Sequence, residues 1–188
     1  MPIFYRGAAP GTYWNSNDAR TSGFPPRNSG ITASPDRIIQ HIYNGLTDSP
    51  YVSLTRSYSV ALHYALEAGT SQPTKLAPGF VYELEITDAS GVQLIDPVKE
   101  IAAGAPPPLS AVPYQHDGHQ TVVLGVASAL LAGFLRRPII QPGTVSPMAR
   151  SATISAHLRG LVAALRDAEI LAIGTIPRNC VVNRYDVY

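Results

Sequence analysis

The sequence is poor in charge, in lysine and in cysteine, and it has no long apolar run. Only 14% of its 188 residues are charged and the formal net charge is +1, so bulk nucleic-acid or membrane-surface binding has no electrostatic basis. With 45% apolar residues, the balance argues against a disordered chain, and the length suits one domain with a real core. The single cysteine, Cys180, rules out an internal disulfide and fits a reducing compartment. In Cys180-Val181-Val182 it reads as a buried strand residue. The most membrane-like stretch, Thr121 to Leu135, is shorter than a bilayer span and holds two glycines and a serine. It reads as a buried helix, and no membrane partner is expected. Met1 runs directly into Pro2-Ile3-Phe4-Tyr5-Arg6, without the basic start and apolar middle of a secretory signal, so a cytoplasmic product is expected as made.

Turn-forming residues are plentiful. Seventeen prolines and fifteen glycines predict a loop-rich fold. Twelve of the fourteen cations are arginines, the side chain best suited to planar recognition of phosphate.

Ile3-Phe4-Tyr5 predicts a short strand ending at Arg6-Gly7, followed by loop from Ala8 to Gly30. Ser34-Pro35-Asp36 is a helix start, with Ile38, Ile39, Ile42 and Leu46 at helical spacing behind it. Tyr51 to Leu54 is a strand, and Thr55 to Ser57 caps a helix to about Ala68. Phe80 to Ile86 alternates strictly, with Val81, Glu83 and Glu85 expected on a wet face. Ala105-Pro106-Pro107-Pro108 belongs to an extended surface segment. Helices are expected at about Gln120 to Arg136 and Ser151 to Arg166, separated by Pro138 to Pro147. Strands Glu169 to Ile173 and Cys180 to Tyr185 close the chain, joined through Gly174-Thr175-Ile176-Pro177. The architecture implied is α+β.

Three places carry chemistry-bearing residues. Arg6 ends the first strand. Ser53 and Thr55 are two apart on a strand and share one face. Asp167-Ala168-Glu169 sets two acids before an apolar strand. In order and surroundings these segments, with Asp18-Ala19-Arg20, Ser22-Gly23-Phe24 and Gly174-Thr175-Ile176-Pro177, resemble the Arg-Ser-Glu class of mono-ADP-ribosyltransferases, the class of cholera toxin and heat-labile enterotoxin. The similarity covers roughly residues 1 to 90 and 165 to 188.

The resemblance implies a split β core with flanking helices and a cleft for NAD. It implies a single domain over 1–188 with a proline-rich, helical insertion at about 104–147. It implies transfer of ADP-ribose from NAD to an acceptor, protein or nucleic acid, with nicotinamide released. Arg6, Gly7, Ser53, Thr55 and Tyr58 would bind NAD, Arg6 by its planar charged fork and Tyr58 as the ring beside nicotinamide. Ser53 would orient Glu169, whose charge would face the cation that develops as nicotinamide leaves. Asp167 would face the acceptor. An inhibitor or antitoxin partner, and delivery into a target cell, belong to the same expectation.

Two departures stand out: Leu54 occupies the middle of the Ser-Thr-Ser pattern, and Asp167 stands where arginine-modifying members carry Glu. They keep two alternatives in play, an NAD glycohydrolase and a catalytically inactive NAD- or partner-binding member. Glu83-Leu84-Glu85 repeats the acidic spacing but lies in an alternating strand with no Gly-x-Ile-Pro after it, and reads as a solvated face. His116 and His119 bracket Asp117-Gly118 without a firm ligand spacing, so a polar turn before a helix is expected and no metal.

Overall fold

The computed structural model describes residues 2–44, 48–104, 111–116, 119–124 and 156–188. They form two compact units. The first comprises Met1–Ser34, Leu46–Asp96 and Asp167–Tyr188, and the second Pro35–Gly45 and Pro97–Arg166.

The first unit is built on a six-stranded sheet. Its strands are β1 (Ile3–Ala8), β2 (Tyr51–Thr55), β3 (Gly79–Glu85), β4 (Gln93–Ile95), β7 (Glu169–Ile173) and β8 (Val181–Val187). Their order is β4-β7-β2-β1-β3-β8, and every neighbouring pair is antiparallel. The protein is thus a mixed α/β chain with an antiparallel sheet. The central joint is thin: β1 and β2 share one registered pair, Tyr5 opposite Thr55. β1–β3 and β2–β7, by contrast, are zipped along their lengths.

The apolar alternation explains the core. Val52, Leu54, Ile170 and Ala172 share one cluster with Phe4, Tyr82, Leu84 and Phe24, as period-2 strands with one buried face require. The region between Ala8 and Gly30, expected as loop, contains two single-turn helices, α1 (Tyr13–Ser16) and α2 (Ala19–Ser22). Asp18 caps α2 by accepting from the Arg20 amide at 3.0 Å, a local competition that composition alone does not reveal. Two motifs far apart in sequence then join. Phe24 N–H donates to the Ile176 carbonyl at 2.9 Å and Ile176 N–H returns the bond at 3.0 Å. Gly23 permits the approach: its φ is +70°, and a Cβ there would stand 2.3 Å from the Ile176 oxygen.

Helix α4 (Tyr58–Glu67) starts where expected, with the Ser57 hydroxyl accepting from the Val60 amide. It covers Val81, which clusters with Ala61 and Ala65. The face of β3 expected to be wet is therefore dry at Val81 and only half-covered at Glu83 and Glu85. Cys180 is buried as expected, but in a 3-10 turn (Arg178–Cys180) rather than in the strand. Burial pushes its thiol up. β4 and α5 (Pro97–Gly104) were not expected from the sequence; a three-residue strand and an eight-residue helix are too brief for their periodicity to register.

In the second unit, α3 (Pro35–Asn44), α5 and α6 (Ala156–Arg166) pack on one another. Gly160 lets them close, since a Cβ there would lie 3.4 Å from Ile101 Cδ1 and 3.7 Å from Ile39 Cγ2. A separate hairpin pairs β5 (Ala111–His116) with β6 (His119–Leu124). This corrects the helix expected from Gln120: residues 120–124 are strand, and His116 and His119 face each other as the last registered pair. The run Thr121-Val122-Val123 is β-branched and suits a strand. Residues 125–136 of that expected helix, the prolines 106–108, the segment 138–147 and the start of the helix expected at Ser151 lie outside the described residues. Among the described residues no helix is long and apolar enough to cross a membrane.

Candidate active site where β1 leaves β2

The thin joint between β1 and β2 gathers the residues singled out in the sequence. Tyr5, Thr55 and Glu169 form one row across three strands. The same register would next set Gly7 against Ser53, but the strands have parted there. The Ser53 carbonyl, which a continued ladder would have satisfied, instead accepts from Arg6 Nη1. A side chain thus replaces a backbone donor at the gap, as an otherwise orphaned carbonyl requires.

Arg6 is held in unusual surroundings. Its guanidinium carbon lies 5.7 Å from the Trp14 ring and 5.8 Å from the Phe24 ring, within reach of cation–π attraction. Its Nε is buried and has no hydrogen-bond partner among the described residues. Its pKa is lowered to about 10, by burial first and then by Arg27, against the opposing pull of Glu169 and Tyr64. Arg6 therefore stays cationic at neutral pH, with a second cation and the Glu169 carboxylate both within electrostatic range.

The acidic segment is fixed by its backbone. The Thr55 hydroxyl donates to the Asp167 carbonyl at 2.6 Å and accepts from the Ser57 amide at 3.0 Å. The Arg56 amide donates to the Ala168 carbonyl at 3.1 Å. Between the two acids Ala168 has φ +44°, a left-handed conformation costing an L-residue roughly 1–2 kcal/mol. Such strain persists only where neighbours over-determine the backbone, and the bonds from Thr55 and Arg56 do that. Glu169 is half-buried in β7. On the other side of Ala168, Tyr64 Oη donates to Asp167 Oδ2 at 2.7 Å.

The remaining expected site residues have distinct placements. Gly7 lies against α4: a Cβ there would stand 2.1 Å from the Ala61 carbonyl oxygen and 2.9 Å from Tyr64 Cβ. Thr55 is only 6% exposed and is engaged with backbone on both sides. Tyr58, 39% exposed, stands edge-on to Tyr5 at 5.5 Å and to Tyr185 at 5.9 Å. Two residues not expected at the site join it, Arg27 through its field on Arg6, and Tyr64, expected as a packing residue of its helix, through its bond to Asp167. Pro25-Pro26-Arg27 beside the Ser-Gly-Phe motif, and a tyrosine one helix turn beyond Val60, are the only local signals for them. Among the described residues no group of three or more His, Cys, Asp or Glu is placed to hold a metal. No protein-family model matches the chain, and no curated protein matches it.

Proposed function

We propose that the six-stranded sheet, opened between β1 and β2, is the split core of an ADP-ribosyltransferase. On this reading the chain transfers ADP-ribose from NAD to an acceptor and releases nicotinamide. The observation that carries the reading is Arg6: a half-buried arginine whose Nε is buried and without a hydrogen-bond partner among the described residues, beside a second cation and in the field of Glu169. A forked, permanently charged donor set of this kind fits the phosphate and ribose oxygens of a dinucleotide.

The chemistry follows from the arrangement. The bond between the ribose C1′ and the nicotinamide nitrogen breaks, and nicotinamide leaves with the electron pair. Glu169 supplies negative charge to the cation left on the ribose, an effect strengthened by the apolar surroundings. The acceptor lone pair takes C1′ and its proton passes to Asp167. Thr55 acts here as a positioning residue, since its hydroxyl holds the Asp167 backbone. Gly7 serves by letting α4 close on β1, and Tyr58 is the aromatic candidate beside nicotinamide. The anchored Asp167 favours transfer over simple hydrolysis, in which no acceptor needs to be oriented.

Labelled NAD incubated with the purified chain and a cell lysate tests the reading. Nicotinamide release with label on protein or nucleic acid is expected, and label only on free ADP-ribose identifies a glycohydrolase. Glu169→Gln preserves shape and removes charge, so release should fall by about 100-fold or more. Full turnover in that variant, or no release by the native chain, excludes the proposed chemistry.

A further inference from the structure

We propose that Tyr64 is a positioning residue that selects for transfer by holding the Asp167 carboxylate at the acceptor side of the site; this rests on the ADP-ribosyltransferase reading. Three observations converge. Tyr64 Oη donates to Asp167 Oδ2 at 2.7 Å, the length of a strong hydroxyl–carboxylate bond. Asp167 has its main chain anchored separately, through the Thr55 hydroxyl at 2.6 Å. Tyr64 reaches this place only because β1 carries glycine opposite it: a Cβ on Gly7 would stand 2.9 Å from Tyr64 Cβ. Carboxylate, loop backbone and helix are thereby locked to one another, each by a different bond.

The shorter acid explains why a second residue is needed. Aspartate ends one methylene sooner than glutamate, so it cannot search for an acceptor by swinging a longer arm. Its oxygens must be aimed by something else, and misplacement by about 1 Å costs catalysis heavily. The left-handed Ala168 sets the direction of the main chain between the two acids. The Tyr64 hydroxyl sets the rotamer of Asp167. With a tyrosine ring 36% exposed beside the carboxylate, a cationic acceptor would meet both a charge and an aromatic surface. The acceptor proton passes to Asp167 as its nitrogen bonds C1′, and Asp167 then yields that proton to solvent.

The test uses the full chain with NAD, measuring nicotinamide release alone and label transfer to agmatine and to total lysate protein and nucleic acid. Tyr64→Phe retains the ring and removes only the hydroxyl. It should lower transfer by about 10-fold or more, the loss typical of a bond to a charged group, while nicotinamide release without acceptor stays within about 2-fold of wild type. In an Asp167→Ala background, adding Tyr64→Phe should have no further effect on transfer. A residue that merely supported the fold would lower release and transfer together, in either background, and would lower Tm. Equal transfer by wild type and Tyr64→Phe overturns the inference. So does wild-type release with no transfer to any of the three acceptors, which leaves NAD cleavage intact. Absence of any nicotinamide release by wild type overturns the enzymatic reading and this inference with it.

Discussion

Arg6 is charged, half-buried and incompletely hydrogen-bonded at its buried Nε, which makes its side chain a cost to folding. The direction of its pKa says the same: with the value pulled down to about 10, below the ordinary arginine range, the protonated form is less favoured in the folded chain than in the unfolded one. Below pH ~10 both states hold the proton, so the cost is constant there, and it declines only as pH rises past about 10 toward the ordinary arginine value. Arg6→Met removes this charge but leaves the Ser53 carbonyl without the Arg6 donor, so the two effects should offset to within about 1–2 kcal/mol, with the same Tm change at pH 6 and pH 8, and NAD binding in calorimetry should be abolished. Arg6→Lys keeps the charge, loses the fork, and should bind NAD more weakly. Ala168 carries a second local cost. Ala168→Gly should fold at least as stably, because glycine accepts positive φ without steric penalty. Ala168→Val should lose more than about 1 kcal/mol in denaturant titration, since a β-branched residue tolerates that conformation poorly.

Packing at the level of elements turns on how closely α4 lies on β1 and β3. Gly7 and Gly79 face the α4 backbone, with hypothetical Cβ atoms 2.1 Å from the Ala61 oxygen and 2.2 Å from the Ala65 oxygen. Neither contact can be relieved by rotating a side chain, so a methyl group must push the helix away. Gly7→Ala is expected to cost about 1–3 kcal/mol, as overpacking does, measured as a lower midpoint in urea. It should also reduce transfer more than NAD hydrolysis, because it shifts Tyr64 away from Asp167. An unchanged midpoint would mean that α4 is not seated on β1 as described.

Within the whole molecule, every residue of the candidate site belongs to the first unit: Arg6, Ser53, Thr55, Tyr58, Tyr64, Asp167 and Glu169 all fall in its three segments. The described strands of the stretch expected as an insertion, Ala111–His116 and His119–Leu124, fall in the second. Replacing residues 105–147 by a short Gly/Ser linker should therefore leave nicotinamide release in place and reduce transfer, if that stretch serves acceptor recognition. Loss of both activities in a variant that melts cooperatively would assign the stretch to NAD binding instead.

Much of the site was legible locally. The strands that carry Arg6, Ser53 and Glu169 follow from apolar runs and their alternation, although β1 runs on to Ala8 and β2 to Thr55, and the start of α4 follows from the Ser57 cap. These signals act within one turn or one strand, where neighbouring residues alone decide the conformation. What the sequence left open involves partners far apart in the chain. Tyr64 meets Asp167 across 103 residues, and Arg6 meets the Ser53 carbonyl across 47. The short run at Gln120–Leu124 could serve helix or strand, and became β6 because β5 pairs with it. The sequence by itself determined strands β1, β2, β3, β7 and β8 and helices α3 and α4, and which of their side chains carry charge. Only the tertiary structure decided that β1 parts from β2 after a single pair, that Arg6 satisfies the exposed carbonyl, and that Tyr64 reaches Asp167. These depend on closing long loops and on glycine-sized gaps between elements, and no local pattern encodes either.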